Sequence, residues 1–245
     1  MDERDLQIGH MSEKLCGIKD GQHLVETLRA IDITVPRSSD GRKTWHRERW
    51  TICRLLATLA EGSRLSYPLS LVKGERPDFV LDMTIRKVGV EVSEAIPQGY
   101  QKYVHKAEKL GRKVFHIPNS VAFGKPIRQS EIQRMLDEKS SNAWVGDESE
   151  RAWAEFLIGL IDHKLKKLSS KEFSVYESNW LSIYDNMPWP IDFEDAVAAL
   201  SGSLQGYWTR SPRFDAVFIE HGGEWIACIS PDGSQLLSLS TVAVK

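Results

Sequence analysis

Asp78, Glu91 and Ser93 are the residues whose types and spacing suggest chemistry. Asp78 follows Pro77 and opens the apolar run Phe79-Val80-Leu81. Glu91 comes after twelve intervening residues, inside Val88-Gly89-Val90-Glu91-Val92-Ser93. Period-2 geometry puts Glu91 and Ser93 on one face of a strand, and Val90 and Val92 on the other, the core face. A neighbouring strand that begins at Asp78 brings a second carboxylate to the same edge. Two carboxylates a few ångströms apart, with a nearby carbonyl, form an oxygen site for a hard divalent cation such as Mg²⁺. Such a site suits phosphodiester hydrolysis, in which the cation polarises a phosphoryl oxygen and activates water. A competing reading makes Asp78 a turn residue after Pro77. Glu91 has less room for one, because a glutamate buried in a valine-rich strand needs a partner. Lys164 is a further candidate. It falls on one helical stripe with Trp153, Leu157, Leu160 and Leu168, so it faces the sheet, and it must snorkel to water or pair with a carboxylate. Its alternative role is a helix-end lysine complementing the macrodipole.

The elements that hold these residues follow from periodicity. A helix over 43–61 has Trp45, Ile52, Leu55, Leu56 and Leu59 in register, with Gly62 at the capping position. Strands are expected at 69–73, 78–83 and 87–93, joined by short hairpin-type links. A strong helix spans 148–168, a buried strand 180–184 and another helix 192–208. A closing hairpin pairs 216–220 with 224–229 through His221-Gly222-Gly223. Residues 1–40 read as a helical N-terminal arm, with a helix around 11–31 and a loop at 36–41. The remainder, 41–245, reads as one α/β domain with an insertion at 95–147. The insertion holds a basic helix (99–110), an apolar run (114–117) and a helix at 129–139. The strand–helix–strand step from 87–93 to 180–184 implies a crossover and a mixed sheet flanked by helices.

This order, helix–three strands–helix–strand, together with Asp78 and Glu91, resembles the PD-(D/E)XK nuclease superfamily, the restriction-endonuclease-like fold. The resemblance covers residues 43–185. It implies that Asp78 and Glu91 are the acidic dyad that binds Mg²⁺ or Mn²⁺. It also implies that Glu48, on the apolar side of the first strong helix, is a third metal carboxylate; otherwise Glu48 is a first-turn residue interacting with the helix dipole. The family lysine maps onto Ser93, so the sequence departs from the pattern there. Some members move that lysine to the following helix, which makes Lys164 the replacement, with Lys167 behind it, and leaves Ser93 to fill or hydrogen-bond at the vacated place. By the same analogy the partner is nucleic acid, DNA ahead of RNA. Nucleases of this fold often act as a homodimer because two strands need two sites, though no motif here requires one. The alternative is a nuclease-fold module that has lost turnover and binds nucleic acid or a protein partner.

Charge leaves room for nucleic acid but does not require it. Lys and Arg number 32 against 34 Asp and Glu, a net charge of −2, so binding by bulk charge is disfavoured and any such contact must be local. Tyr100 lies among Lys102, Tyr103, Lys106 and Lys109, a pattern in which rings stack on bases and lysines hold phosphates. Lys167 sits in a second basic run. Each run reads equally well as a solvated helix face. Three widely spaced cysteines (Cys16, Cys53, Cys228) exclude a disulfide framework and a CxxC zinc site, and fit a reducing cytoplasmic setting. No apolar run is long enough for a membrane span, and the charged start lacks a signal-peptide core. The seven histidines form no HExxH, and GxSxG and phosphate-loop motifs are missing.

Overall fold

Among the described residues, eight strands form one mixed sheet in the strict order of the chain. The computed structural model describes residues 14–36, 40–112, 117, 121–137 and 144–240. The strands are β1 (Lys14–Ile18), β2 (Leu69–Lys73), β3 (Phe79–Met83), β4 (Arg86–Glu94), β5 (Ser178–Asp185), β6 (Ala216–His221), β7 (Trp225–Ser230) and β8 (Gly233–Ser238). The helices among the described residues are α1 (Gly21–Arg29), α2 (Thr44–Glu61), α3 (Tyr100–Lys109), α4 (Gln129–Asp137), α5 (Glu148–Leu168) and α6 (Phe193–Ser203). The strand pairs β4–β5 and β5–β6 are parallel and the others antiparallel. No helix among the described residues is long and apolar enough to cross a membrane.

Each sheet face buries its own cluster. On one side Phe79, Leu81, Val88, Val90, Trp180 and Phe218 pack under α1 and α2. On the other, Leu181, Ile183, Val217, Ile219, Ala227 and Ile229 pack under α5 and α6, with α3 and α4 adding to the same cluster. Strand alternation produces this division, because successive side chains leave opposite faces. On α5 the residues Trp153, Leu157, Leu160 and Leu168 are all buried, as their spacing requires.

Three parts of the chain depart from the sequence expectation. The helix expected around 11–31 is instead strand β1 followed by α1, which Asp20 caps by accepting the His23 amide at 2.8 Å. β1 pairs with β2, and Leu15, Leu24 and Leu28 bury against α2, so this segment is part of the sheet layer. The helix expected over 192–208 stops at Ser203, after which a short 3₁₀ turn covers Gln205–Tyr207. The closing hairpin gains a third strand, β8, whose Gly233-Ser234-Gln235 start lacks apolar alternation. The apolar run at 114–117 lies outside the described residues except for Ile117, as do residues 138 and 139 of the third insertion element.

Trp153 ties α5 to the sheet. Its indole N–H donates to buried Asp185 on β5 at 2.6 Å. We expect Trp153→Ala to cost about 3–5 kcal/mol in urea unfolding. Trp153→Phe keeps an aromatic ring but removes one of the three hydrogen bonds to Asp185, leaving those of Met187 and His221, and should cost about 1–3 kcal/mol.

Candidate functional site

The β3–β4 register puts Asp78 and Glu91 side by side. Phe79 opposes Val90, so the next antiparallel position outward sets Asp78 against Glu91 on the α5 face. Two tight approaches hold that geometry. The Gly74 amide donates to the Asp78 carbonyl at 2.8 Å, and a Cβ on Gly74 would lie 2.6 Å from the Pro77 carbonyl oxygen. At Gly89 a Cβ would meet the Tyr176 ring at 2.8 Å and Pro77 at 3.0 Å. Both positions need glycine for close packing, and both adjoin the segment that carries Asp78.

Lys164 reaches the pair from α5. Its ammonium donates to Glu91 Oε1 at 2.8 Å and to the Val92 carbonyl at 3.0 Å. Only 12% of its side chain is exposed. The Val92 amide in turn donates to Asp78 Oδ2 at 2.7 Å. The backbone of one residue of β4, Val92, therefore braces both Asp78 and Lys164. An ammonium carries three protons, and two are used here, which leaves the third for a ligand. Glu91 Oε2 is buried with no hydrogen-bond partner among the described residues. Burial first, and then the neighbouring Glu91 charge, push the Asp78 carboxyl up to about 7, against the lowering effect of the Val92 amide. Glu48 raises it further and Lys164 lowers it.

An orphaned carboxylate oxygen beside a carboxyl destabilised by like charge is what a hard cation would relieve. The donors are all oxygen, which fits Mg²⁺ or Mn²⁺ better than a softer ion. Among the described residues no three His, Cys, Asp or Glu side chains gather as a ligand set. A cation here would therefore take Asp78 and Glu91 and complete its sphere with water and substrate oxygens, as Mg²⁺ commonly does. Glu48 does not join the two carboxylates in one group; it pairs with Lys73 at 3.4 Å. Lys73 was not singled out from the sequence. Its only signal is its place at the end of β2, paired with Phe79.

The other expected residues divide by exposure. Ser93 is half-buried on β4, two residues beyond Glu91. Lys167 is exposed, so Lys164 alone of the two lysines makes the Glu91 contact. Lys102 and Lys109 are exposed and Lys106 is half-buried. Tyr100 is a correction. It is 4% exposed, as Tyr103 is 3% exposed, and the two rings pack together in the core at 5.7 Å. Their spacing with Ala107 is the buried stripe of α3, so neither ring offers a face to a base. Comparison of the chain with protein-family models gave no match, and comparisons with curated proteins and with solved structures gave none either.

Two outcomes follow for stability. Folded Asp78 keeps its proton up to about pH 7, whereas the ordinary value is 3.8. The folded state thus binds more protons between those limits, and stability from this group is lost as pH rises through them. Asp78→Asn should therefore raise stability at pH 8 by about 1–2 kcal/mol and give no gain near pH 3, measured by urea unfolding across pH. Lys164→Met should cost about 3 kcal/mol by leaving buried Glu91 unpaired. Adding Glu91→Gln should restore most of that loss, which a double-mutant cycle would read.

Proposed function

We propose that this chain is a divalent-metal-dependent nuclease of restriction-endonuclease-like topology, hydrolysing phosphodiester bonds in nucleic acid, with DNA as the first substrate to test. The observation that carries the reading is the contact of Lys164 with Glu91 and the Val92 carbonyl, on the strand edge that also holds Asp78. The order α2, β2, β3, β4, α5, β5, taken past α3 and α4 between β4 and α5, supports the resemblance to that superfamily. An ammonium supplied from α5 supports the view that Lys164 stands in for the lysine that Ser93 replaces.

The residues take distinct roles in this reading. Asp78 and Glu91 hold the cation, Mg²⁺ or Mn²⁺. When bound, the cation supplies Lewis acidity towards a phosphoryl oxygen and makes water more acidic. Lys164 fixes Glu91 and directs its remaining N–H towards the attacking water or the phosphate. The Val92 amide keeps Asp78 aimed at the edge. Ser93 is half-buried and its hydroxyl makes no hydrogen bond with a described residue, so in this reading it mainly fills the vacated place. Asp78 must lose its proton to serve as a ligand, so cation binding and turnover should rise as pH passes through about 7. Exposed Lys102, Lys109 and Lys167 are the candidate phosphate contacts. One observation favours the alternative, a binding module without turnover: Lys164 already spends two of its three protons within the protein.

Incubation of plasmid and oligonucleotide DNA with Mg²⁺ or Mn²⁺ separates the two readings. For an enzyme, Asp78→Asn and Glu91→Gln should each lower cleavage by about 100-fold or more while DNA binding persists. Lys164→Met should lower it by about 100-fold, and Ser93→Ala should leave it nearly unchanged. Intact wild-type binding to DNA without cleavage of DNA or RNA at any pH from 6 to 9 would establish the module instead.

A further inference from the structure

Four strands away from β4, the edge of the sheet carries a second feature of definite chemical sign. A groove of about 670 Å³ runs between α6 and the β7–β8 hairpin. Its walls are Phe193, Val197 and Ala198 from α6, Trp225 from β7 and Leu236 from β8. Strand alternation explains the opening. Trp225, Ala227 and Ile229 share the α6 face, opposite Ser238, Leu236 and Ser234. Two of those three β8 side chains are small, so the outermost strand fills little of the space beside α6. Trp225 is left 41% exposed, although Ala227 and Ile229 behind it are fully buried.

The rim is acidic. Asp192, Glu194 and Glu224 line the groove, and no Lys, Arg or His is among its lining residues. Asp192 is committed to capping α6, where it accepts the amides of Glu194 and Asp195. Glu194 and Glu224 are exposed and make no ion pair with any described residue. The Arg64 guanidinium hydrogen-bonds Gln235, a lining residue. Gln235 opposes Cys228, so its side chain leaves the sheet on the α2 face, away from the groove.

We propose that this groove docks a basic segment of a partner protein, in which arginine or lysine side chains flank an apolar residue. The cations answer the free carboxylates, and one of them can lie over the exposed Trp225 ring. The apolar residue answers the Phe193–Val197–Leu236 wall, which a small hydrated cation would leave wet. The negative rim repels nucleic acid, so the surface is separate in chemistry from the β4 edge, and the proposal stands whether or not that edge is catalytic.

The test uses a nine-residue peptide of alternating arginine and leucine, titrated into the full chain by calorimetry and tryptophan fluorescence. The controls are the same peptide with glutamate for arginine, and arginine amide alone. The arginine–leucine peptide should bind the wild type, and weaken as salt is raised. Trp225→Ala should weaken it by about tenfold or more, and so should the charge reversal Glu194→Lys/Glu224→Lys. Unfolding midpoints of both variants are checked alongside, and the glutamate peptide should not bind. The proposal is overturned if the wild type shows no binding at about 1 mM peptide, if both folded variants bind as the wild type does, or if arginine amide binds as tightly as the peptide.

Discussion

A carboxylate buried in a valine-rich strand is the constraint around which this molecule is arranged. Glu91 is 7% exposed, and the ammonium of Lys164 on α5, 73 residues further along the chain, donates to it. That pairing sets the depth and rotation of α5 against the sheet. The stripe Trp153–Leu157–Leu160–Leu168 must bury while Lys164, on the same stripe, reaches Glu91 and the Val92 carbonyl. Breaking such a pair costs far more than the pair adds over an apolar substitute, because the residue left behind is a buried charge. A chain seeking stability alone would place leucine at 164 and valine at 91. Retaining both charges, and adding Asp78 beside them, keeps a polar edge in a sheet that is otherwise covered on both faces.

Much of this arrangement is legible from residues alone, for physical reasons that differ between elements. α2 and α5 carry long 3.6-residue stripes, and β3 and β4 alternate cleanly, so their limits and faces follow from pattern. Lys164 was legible because it interrupts an apolar stripe. β1 and β8 were not, because edge strands bury little. β8 begins Gly-Ser-Gln and is mostly exposed, and β1 holds Gly17 at φ 68° beside an irregularity in its pairing. Tyr100 misled because an aromatic among lysines fits a stacking surface and an amphipathic helix equally well, and only packing decides between them. The half-buried Lys73–Glu48 pair joins β2 to α2, and no local pattern reports such a contact.

Polar groups gather where the parallel strands β4, β5 and β6 end. Asp185 accepts from the Trp153 indole, the Met187 amide and His221 Nδ1. Glu220 takes a forked contact from Arg54 at 2.8–3.2 Å. Carboxyl ends of parallel strands are the usual place for ligands in open α/β sheets, so each of these carboxylates invites a functional reading. Their satisfaction separates them. Both oxygens of Asp185 and both of Glu220 accept hydrogen bonds from the protein, so these groups anchor a helix, a loop and the far side of the sheet. No described residue answers the buried Glu91 Oε2, and Asp78 is driven towards neutrality by its surroundings. Unmet electrostatic demand, rather than the presence of acid, separates the β3–β4 edge from these two anchors and is the physical basis of the proposed cation site.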